Sequence, residues 1–335
     1  MRAFMVQPGL GIKRIEQVEV EKPFLKKDEM LLKMLSWSLN YRDLLVADGQ
    51  YGTGLPTPLI PLSDGVGEIV EIDGSVGDFK IGQRVALSFF PEWATGSISS
   101  ENTKLTLGGT TQGLLAECVS CKHSQIVALP EFLSNEEGAT LPCAALTAWN
   151  ALCEASTPYS GKKILTLGSG GVSLFSIQFA KLLGCKVIAI SRSQNNLNRM
   201  KDLGLDNGVE SSSVIKWGDA IRKSVFGEVD QAIELGGAST LPQTMKATRI
   251  GGEISLIGVL GGNDKEFNPM PIIMKSLKLQ GIFVGSISMF KRMNQAIESS
   301  KLKPVIDKVF KFKNAVDAFV YMSQGNHFGK ICLSI

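Results

Sequence analysis

The sequence predicts an α/β protein, a doubly wound parallel sheet joined to a second, β-rich domain. Three observations predict it. Residues 1–125 read as short strands and turns with little helix. From about residue 135, short continuous apolar runs alternate with amphipathic helices, the pattern of a parallel sheet covered on both faces. The chain has 335 residues, long for one core and comfortable for two domains.

The strand-like pieces of the first part are MRAFMVQ, KRIEQVEVE, MLLKMLSWSLN, VGEIVEI and QRVALSFF, punctuated by Pro-Gly, Asp-Gly and Val-Gly. The second part runs KKILTLG, VSLFSIQFAKLLG, KVIAIS, QNNLNRMKDLG, then DQAIELG, GEISLIGV and LKLQGIFVG. After about residue 285 the tail supplies a helix, a strand, a helix and a last strand, GKICLSI. These have no place in a six-strand sheet already complete, so the tail is expected to return to the first domain. The expected division is 1–125 with 286–335, and 126–285.

Composition narrows the function. The chain is 44% hydrophobic and 20% charged with a net charge of +3, so no basic excess argues for nucleic acid and no acidic run for disorder. The N-terminal segment lacks the pattern of a signal peptide, and no apolar stretch of about 18 residues predicts a membrane span. Six cysteines scattered through a chain of this size suit a reduced, cytoplasmic protein.

The strongest motif is Gly168-Ser169-Gly170-Gly171-Val172-Ser173, between a strand at 163–167 and a helix. The first glycine makes the tight turn, and the second lets backbone approach a pyrophosphate. The helix start supplies free N–H groups and a positive dipole end. Ser173 stands where a third glycine is usual and is small enough for helix–strand packing. Such a turn can be a plain strand–helix connection, but the further βα units after it predict a Rossmann domain. The second strand ends in Ser191-Arg192, and no acidic residue lies between Glu154 and Asp202 to hold a ribose 2′-hydroxyl. A hydroxyl and a guanidinium suit a 2′-phosphate, so NADP(H) is expected. Later strand ends carry Leu235-Gly236-Gly237, Ile257-Gly258-Val259 and Val284-Gly285-Ser286. Glycine there lets a nicotinamide ring lie against the backbone.

With Asn40-Tyr41-Arg42-Asp43, Pro61-Leu62-Ser63-Asp64-Gly65-Val66-Gly67, residues 141–149 (LPCAALTAW) and His327-Phe328-Gly329-Lys330, the whole chain resembles the medium-chain dehydrogenase/reductase superfamily, in its zinc-lacking, quinone oxidoreductase-like branch. The resemblance implies a GroES-like catalytic domain built from both chain ends, an active site in the interdomain cleft, and a homodimer paired through the last Rossmann strand. It implies that Thr147 bonds the nicotinamide amide, that Val259, Val284, Gly285 and Ser286 line that ring, and that Phe328 and Lys330 close over the cofactor. Asn40, Tyr41 and Ser63 would face the substrate.

The zinc-dependent branch binds its catalytic zinc through two cysteines and a histidine. The matching positions here are Asn40, Ser63 and Cys143, and one thiolate does not make that site, so no metal is expected. Cys118 and Cys121 have CxxC spacing, but in a strand they face opposite sides. Without a Lewis acid, alcohol oxidation is difficult, whereas hydride delivery to a quinone or enone spreads the incoming charge. Candidate donors to the developing oxyanion are Asn40, Tyr41 and Ser63, with Asp64 able to orient one of them. The Gly/Ser/Thr-rich run 90–113 reads as a long loop, with Phe90 and Trp93 as pocket walls or loop anchors.

The sequence therefore predicts an NADP(H)-dependent oxidoreductase acting on a quinone, enone or related carbonyl without metal. Two other readings stay open: an alcohol or aldehyde dehydrogenase, which would carry tightly bound zinc, and an NADPH-binding structural or regulatory protein, which would bind cofactor without turnover.

Overall fold

The computed structural model describes residues 1–52, 54–157, 159–261 and 268–335. It contains two compact units, Met1–Leu146 with Val284–Ile335, and Thr147–Phe283.

The second unit is the doubly wound sheet. Its strands in chain order are Lys163–Leu167, Lys186–Ser191, Asn207–Glu210, Val229–Glu234, Thr248–Leu256 and Lys278–Gly281. All pair in parallel, in the spatial order third, second, first, fourth, fifth, sixth. That is the dinucleotide-binding order, in which the chain reverses direction beside the first strand. The strands are apolar throughout because helices cover the sheet: Ile164, Leu165, Val187, Ile188, Ala232 and Ile233 are all buried. Helix Gly171–Leu182 buries Leu174, Phe175, Ile177 and Phe179. The parallel pairing puts the strands' carboxyl ends, and so the turns at Gly168, Gly236 and Gly258, on one edge.

The first unit is the β-rich domain. Its seven-stranded sheet runs Ile306–Lys311, Lys330–Ser334, Glu29–Ser38, Asp64–Ile72, Arg84–Leu87 and Ile126–Ala128, with Cys118–Lys122 also on Glu29–Ser38. The pairing of Ile126–Ala128 with Arg84–Leu87 carries this unit past residue 125. The tail does return here: Lys330–Ser334 lies antiparallel to Glu29–Ser38, with Cys332 opposite Ser38. Continuing that register, and supported by the Leu39 N–H bond to the Ile331 carbonyl, residue 330 falls opposite residue 40. Met30, Leu32, Met34 and Trp37 of the long strand pack with Phe4, Phe312 and Phe319 in the core. Among the described residues, no helix is long and apolar enough to cross a membrane.

Candidate active site

In the second unit the glycine turn is built from backbone. Gly168 has φ +79°, a left-handed conformation that glycine adopts without strain, and its N–H bonds the Ile190 carbonyl at 2.7 Å. Gly170 precedes the helix in extended conformation, and a β-carbon there would meet no atom within 4 Å. The space over this turn is open, as a pyrophosphate resting on the helix start requires. Ser173 is fully buried and its hydroxyl donates to the Leu167 carbonyl, so the small residue in the third glycine position ties the helix to its strand. Gly171 and Val172 begin the helix, and Ser169 Oγ accepts from Asn196 Nδ2 at 2.9 Å. Asn196, which sequence reading passed over, thereby links the turn to the second strand–helix unit.

At the end of the second strand Ser191 is buried, with its hydroxyl accepting from the Ser193 N–H, while Arg192 is exposed. The structure adds a group that distance along the chain concealed. Glu210 pairs in register with Ser191, and its carboxylate accepts from the Gln194 N–H at 3.2 Å at the start of the next helix. An acidic side chain does lie at this strand end, supplied by the third strand.

The fourth strand's end is fixed by one buried carboxylate. Glu234 Oε1 accepts from the N–H groups of Gly236 and Gly237 and the Thr240 hydroxyl, and Oε2 accepts from Thr244. Burial raises the Glu234 pKa while these four bonds hold it down. A β-carbon on Gly258 would lie 2.5 Å from the Leu235 carbonyl, so the fifth strand's end passes this turn closely only because it carries glycine. Val259, next in the chain, is exposed. Thr147 is buried in the helical turn Leu146–Trp149.

The first unit holds the predicted substrate-side residues, and here the site is built from side chains. Asn40 stands before helix Tyr41–Ala47, its N–H bonded to Asp43 Oδ2 at 2.7 Å. Its side chain does not cap the helix; Oδ1 accepts from the Lys330 ammonium at 2.5 Å, and the same ammonium bonds the Leu39 carbonyl at 2.5 Å. Ser63 donates to Asp64 Oδ1 at 2.7 Å, and Asp64 Oδ2 accepts from the Cys143 N–H at 3.2 Å. Cys143 lies in the π-helical turn Leu141–Ala145, a wide turn of a kind common at functional sites. Asn40, Ser63, Asp64 and Lys330 are all buried. Lys330, expected at the cofactor, has its ammonium in this cluster because the antiparallel register sets it against Asn40.

Burial governs the charges. The Asp43 carboxyl is pushed up to about 6, with Arg42, the Asn40 N–H and Lys330 opposing and Asp64 adding to the rise. Burial also raises Asp64, against the Lys330 charge and the Asn40 and Ser63 side chains. The Cys143 thiol is pushed well above its ordinary value by burial and by Asp64, so it is a neutral thiol at pH 7. Arg42 is stacked 4.4 Å from the Tyr51 ring and 5.0 Å from Phe89, and donates to the Leu107 carbonyl. Tyr51, whose hydroxyl is also raised by burial, packs on Arg42, a contact that the spacing did not signal.

Other expected positions fall elsewhere. Tyr41 is 45% exposed and makes no hydrogen bond to the cluster, since the helix turns Arg42, Asp43 and Leu44 inward instead. Val284, Gly285 and Ser286 belong to the first unit: Val284 has φ +52°, a Gly285 β-carbon would lie 2.9 Å from Leu146, and Ser286 caps helix Ile287–Ser300. Phe328 is buried. Phe90 and Trp93 are also buried, with rings edge to face at 5.9 Å, and so anchor the 90–113 loop. Cys118 and Cys121 are free thiols in one strand.

The strand order and the open glycine turn put the protein in the dinucleotide-binding α/β class. Residues 26–131 match the alcohol dehydrogenase GroES-like domain, and residues 171–299 match the zinc-binding dehydrogenase family. A zinc-type alcohol dehydrogenase-like protein of Schizosaccharomyces pombe is 37% identical over 333 residues, 97% of this chain and 96% of its own. A 2-methylene-furan-3-one reductase of Solanum lycopersicum is 30% identical over 320 residues, 94% of this chain and 74% of its own. The crystal structure of a putative alcohol dehydrogenase from Sinorhizobium meliloti 1021 superposes with a TM-score of 0.91 at 33% identity, covering 100% of this chain and 99% of that one. The chain belongs to the medium-chain dehydrogenase/reductase superfamily, whose members are oxidoreductases that bind a nicotinamide cofactor.

The family's zinc does not fit the residues present. Of the three ligand positions, Asn40 already accepts from an ammonium and Ser63 donates to a carboxylate, which leaves Cys143 as a lone sulfur ligand. Among the described residues, no group of three or more His, Cys, Asp and Glu side chains is arranged to hold a metal ion.

Proposed function

We propose that this protein is an NADP(H)-dependent reductase of conjugated carbonyl acceptors, quinones or enones, that works without a metal. The observation that carries the reading is the site around Asn40: the neutral side chains of Asn40 and Ser63 stand at two of the zinc-ligand positions, and the Lys330 ammonium is bonded to Asn40. When bound, the dihydronicotinamide supplies a hydride. The backbone of Gly168, Ser169, Gly170, Gly171 and Val172 holds the pyrophosphate, and Ser191 and Arg192 take the 2′-phosphate. Gly236, Gly258 and Val259 leave room for the ring, with Thr147, Val284, Gly285, Ser286 and Phe328 assigned to it by family resemblance. Asn40 supplies the donor to the developing oxyanion, because the one hydrogen of the Ser63 hydroxyl is already given to Asp64.

A quinone or enone suits such a site because its incoming charge spreads over an enolate, which hydrogen bonds alone can stabilise. The reductase name of the tomato relative agrees with this acceptor class. The same reading takes the chain as a homodimer joined through the outer strand Lys278–Gly281, near which Ile273, Met274 and Phe283 are exposed.

One observation favours a second cofactor: Glu210 beside Ser191 supplies a carboxylate able to hold a ribose 2′-hydroxyl, as NAD(H) requires. Titration with NADPH and NADH, followed by turnover with a quinone, an enone and an alcohol, tests the whole reading. Tighter NADPH binding with quinone or enone reduction is expected. Tighter NADH binding would transfer the assignment to Glu210, and alcohol oxidation with one tightly bound zinc per chain would overturn the mechanism.

A further inference from the structure

The Asn40 amide has two ends with different fates. Its oxygen accepts from the Lys330 ammonium at 2.5 Å, while Nδ2 is buried and meets no acceptor in hydrogen-bonding geometry among the described residues. The Asn40 side chain is also among the groups that oppose the rise that burial gives the Asp64 carboxyl. A buried N–H without a partner is costly and calls for an explanation. An ammonium has hydrogens to give and no lone pair to accept with, so only the oxygen of the amide can face it. The NH2 end must then point away from Lys330. The ammonium itself is fixed by the Leu39 carbonyl, and it reaches Asn40 because the last strand pairs antiparallel with Glu29–Ser38.

We propose that Lys330 is a positioning residue: its ammonium locks and polarises the Asn40 amide so that Nδ2 is presented as the hydrogen-bond donor to the oxyanion formed on the acceptor. The inference rests on the reductase reading above and deepens it. As hydride adds to the electron-poor carbon, the π pair moves onto the carbonyl oxygen, and the Asn40 N–H bonds that oxygen without leaving nitrogen. Water then supplies the proton that completes the product. A positive charge on the far side of the amide withdraws electrons through the C=O and strengthens the N–H as a donor, as charge-assisted bonds do. In this way a fixed cation acts on the substrate oxygen at one remove.

A purely structural role, in which Lys330 only clasps the strand end through Leu39 and Asn40, predicts different behaviour. The test measures NADPH-dependent reduction of 3-penten-2-one by Lys330→Met, Asn40→Leu, the double variant and Lys330→Arg. Each of the first two is expected to lose on the order of a hundredfold in kcat, the usual effect of removing one oxyanion donor. The double variant should be no slower than either, Lys330→Arg should recover part of the rate, and the Kd for NADPH should stay unchanged. Losses that multiply in the double variant, or a loss that appears in NADPH affinity instead of kcat, would overturn the proposal. The second result would return Lys330 to the cofactor.

A readout without turnover separates this idea from the reductase reading. In 15N-labelled protein the Asn40 side-chain NH2 signal, identified by its loss in Asn40→Leu, should shift in Lys330→Arg and in Lys330→Met; an unmoved signal contradicts the lock. A wild-type protein that binds NADPH but reduces no enone sinks the reductase reading alone, and the amide signal then decides this one. Should Lys330→Met fail to fold, Lys330→Arg carries the same measurement.

Discussion

The glycine turn of the second unit and the Asn40 cluster of the first are made of opposite materials. At residues 168–173 the ligand-facing surface is backbone, the charge is the partial one of a helix start, and the space over Gly170 is open. Around Asn40 the surface is side chain, the charges are whole ones, and Ser63, Asp64 and Lys330 are bonded to their neighbours while Asn40 Nδ2 is not. The first design can take a methyl group at Gly170 without upsetting the fold, though not at left-handed Gly168. The second depends on a mutual balance of Lys330, Asp64, Asp43 and Arg42, so a single change there disturbs stability as well as chemistry.

The largest expected effect breaks that balance. Asp64→Leu strips the acceptor from the Ser63 hydroxyl and the Cys143 N–H and leaves the buried Lys330 charge with less compensation. We expect a loss on the order of 3–5 kcal/mol in urea unfolding. Asp64→Asn, which keeps an acceptor oxygen, should lose clearly less. Equal losses would mean that the acceptor oxygen contributes nothing and that the lost charge accounts for the whole effect.

A smaller effect follows from Asp43. Its folded pKa, about 6, lies above the ordinary carboxylate value, so the folded state holds this proton more tightly than the unfolded chain does. The stability that this gives is complete below about pH 4 and is lost as pH rises through about 6, a fall on the order of 2–3 kcal/mol. Asp43→Asn keeps the acceptor for the Asn40 N–H and should remove that part of the pH dependence in unfolding measurements between pH 4 and 7. A variant curve parallel to the wild type would show that Asp43 ionises in the folded state as it does in water.

The backbone site should respond in the other currency. Gly170→Ala places a methyl group where no atom lies within 4 Å and where the backbone is not left-handed. Stability should change by less than about 1 kcal/mol, while the Kd for NADPH rises about tenfold, near 1.4 kcal/mol. Unchanged affinity would mean that the pyrophosphate does not approach this turn. The smallest effect is expected at Arg192, which is exposed: Arg192→Ala should weaken NADPH about threefold to fivefold and leave NADH untouched. An equal change for both cofactors would remove Arg192 from 2′-phosphate recognition.

The same contrast explains what the sequence alone makes legible. The glycine turn and its flanking strand and helix are contiguous in the chain, so residues 163–182 announce their own geometry. The alternation of apolar strands with helices likewise gave the sheet class. At the Asn40 site, family resemblance brought Asn40, Ser63 and Asp64 forward, but spacing could not say where Lys330 points. Its ammonium meets Asn40 across a strand pairing between residues 290 apart. Glu210 escaped for a similar reason: it reaches Ser191 through strand register, not through proximity in sequence. Tyr41 was drawn in by its neighbour Asn40, yet a helix start sends adjacent residues in different directions, and this one faces outward.

The most direct test of metal-free hydride transfer is one steady-state assay on protein dialysed against a strong zinc chelator, with NADPH consumption followed against 3-penten-2-one. Full turnover is expected in the chelated protein, with no gain on adding zinc. Turnover that disappears with the chelator and returns with zinc would contradict metal-free transfer.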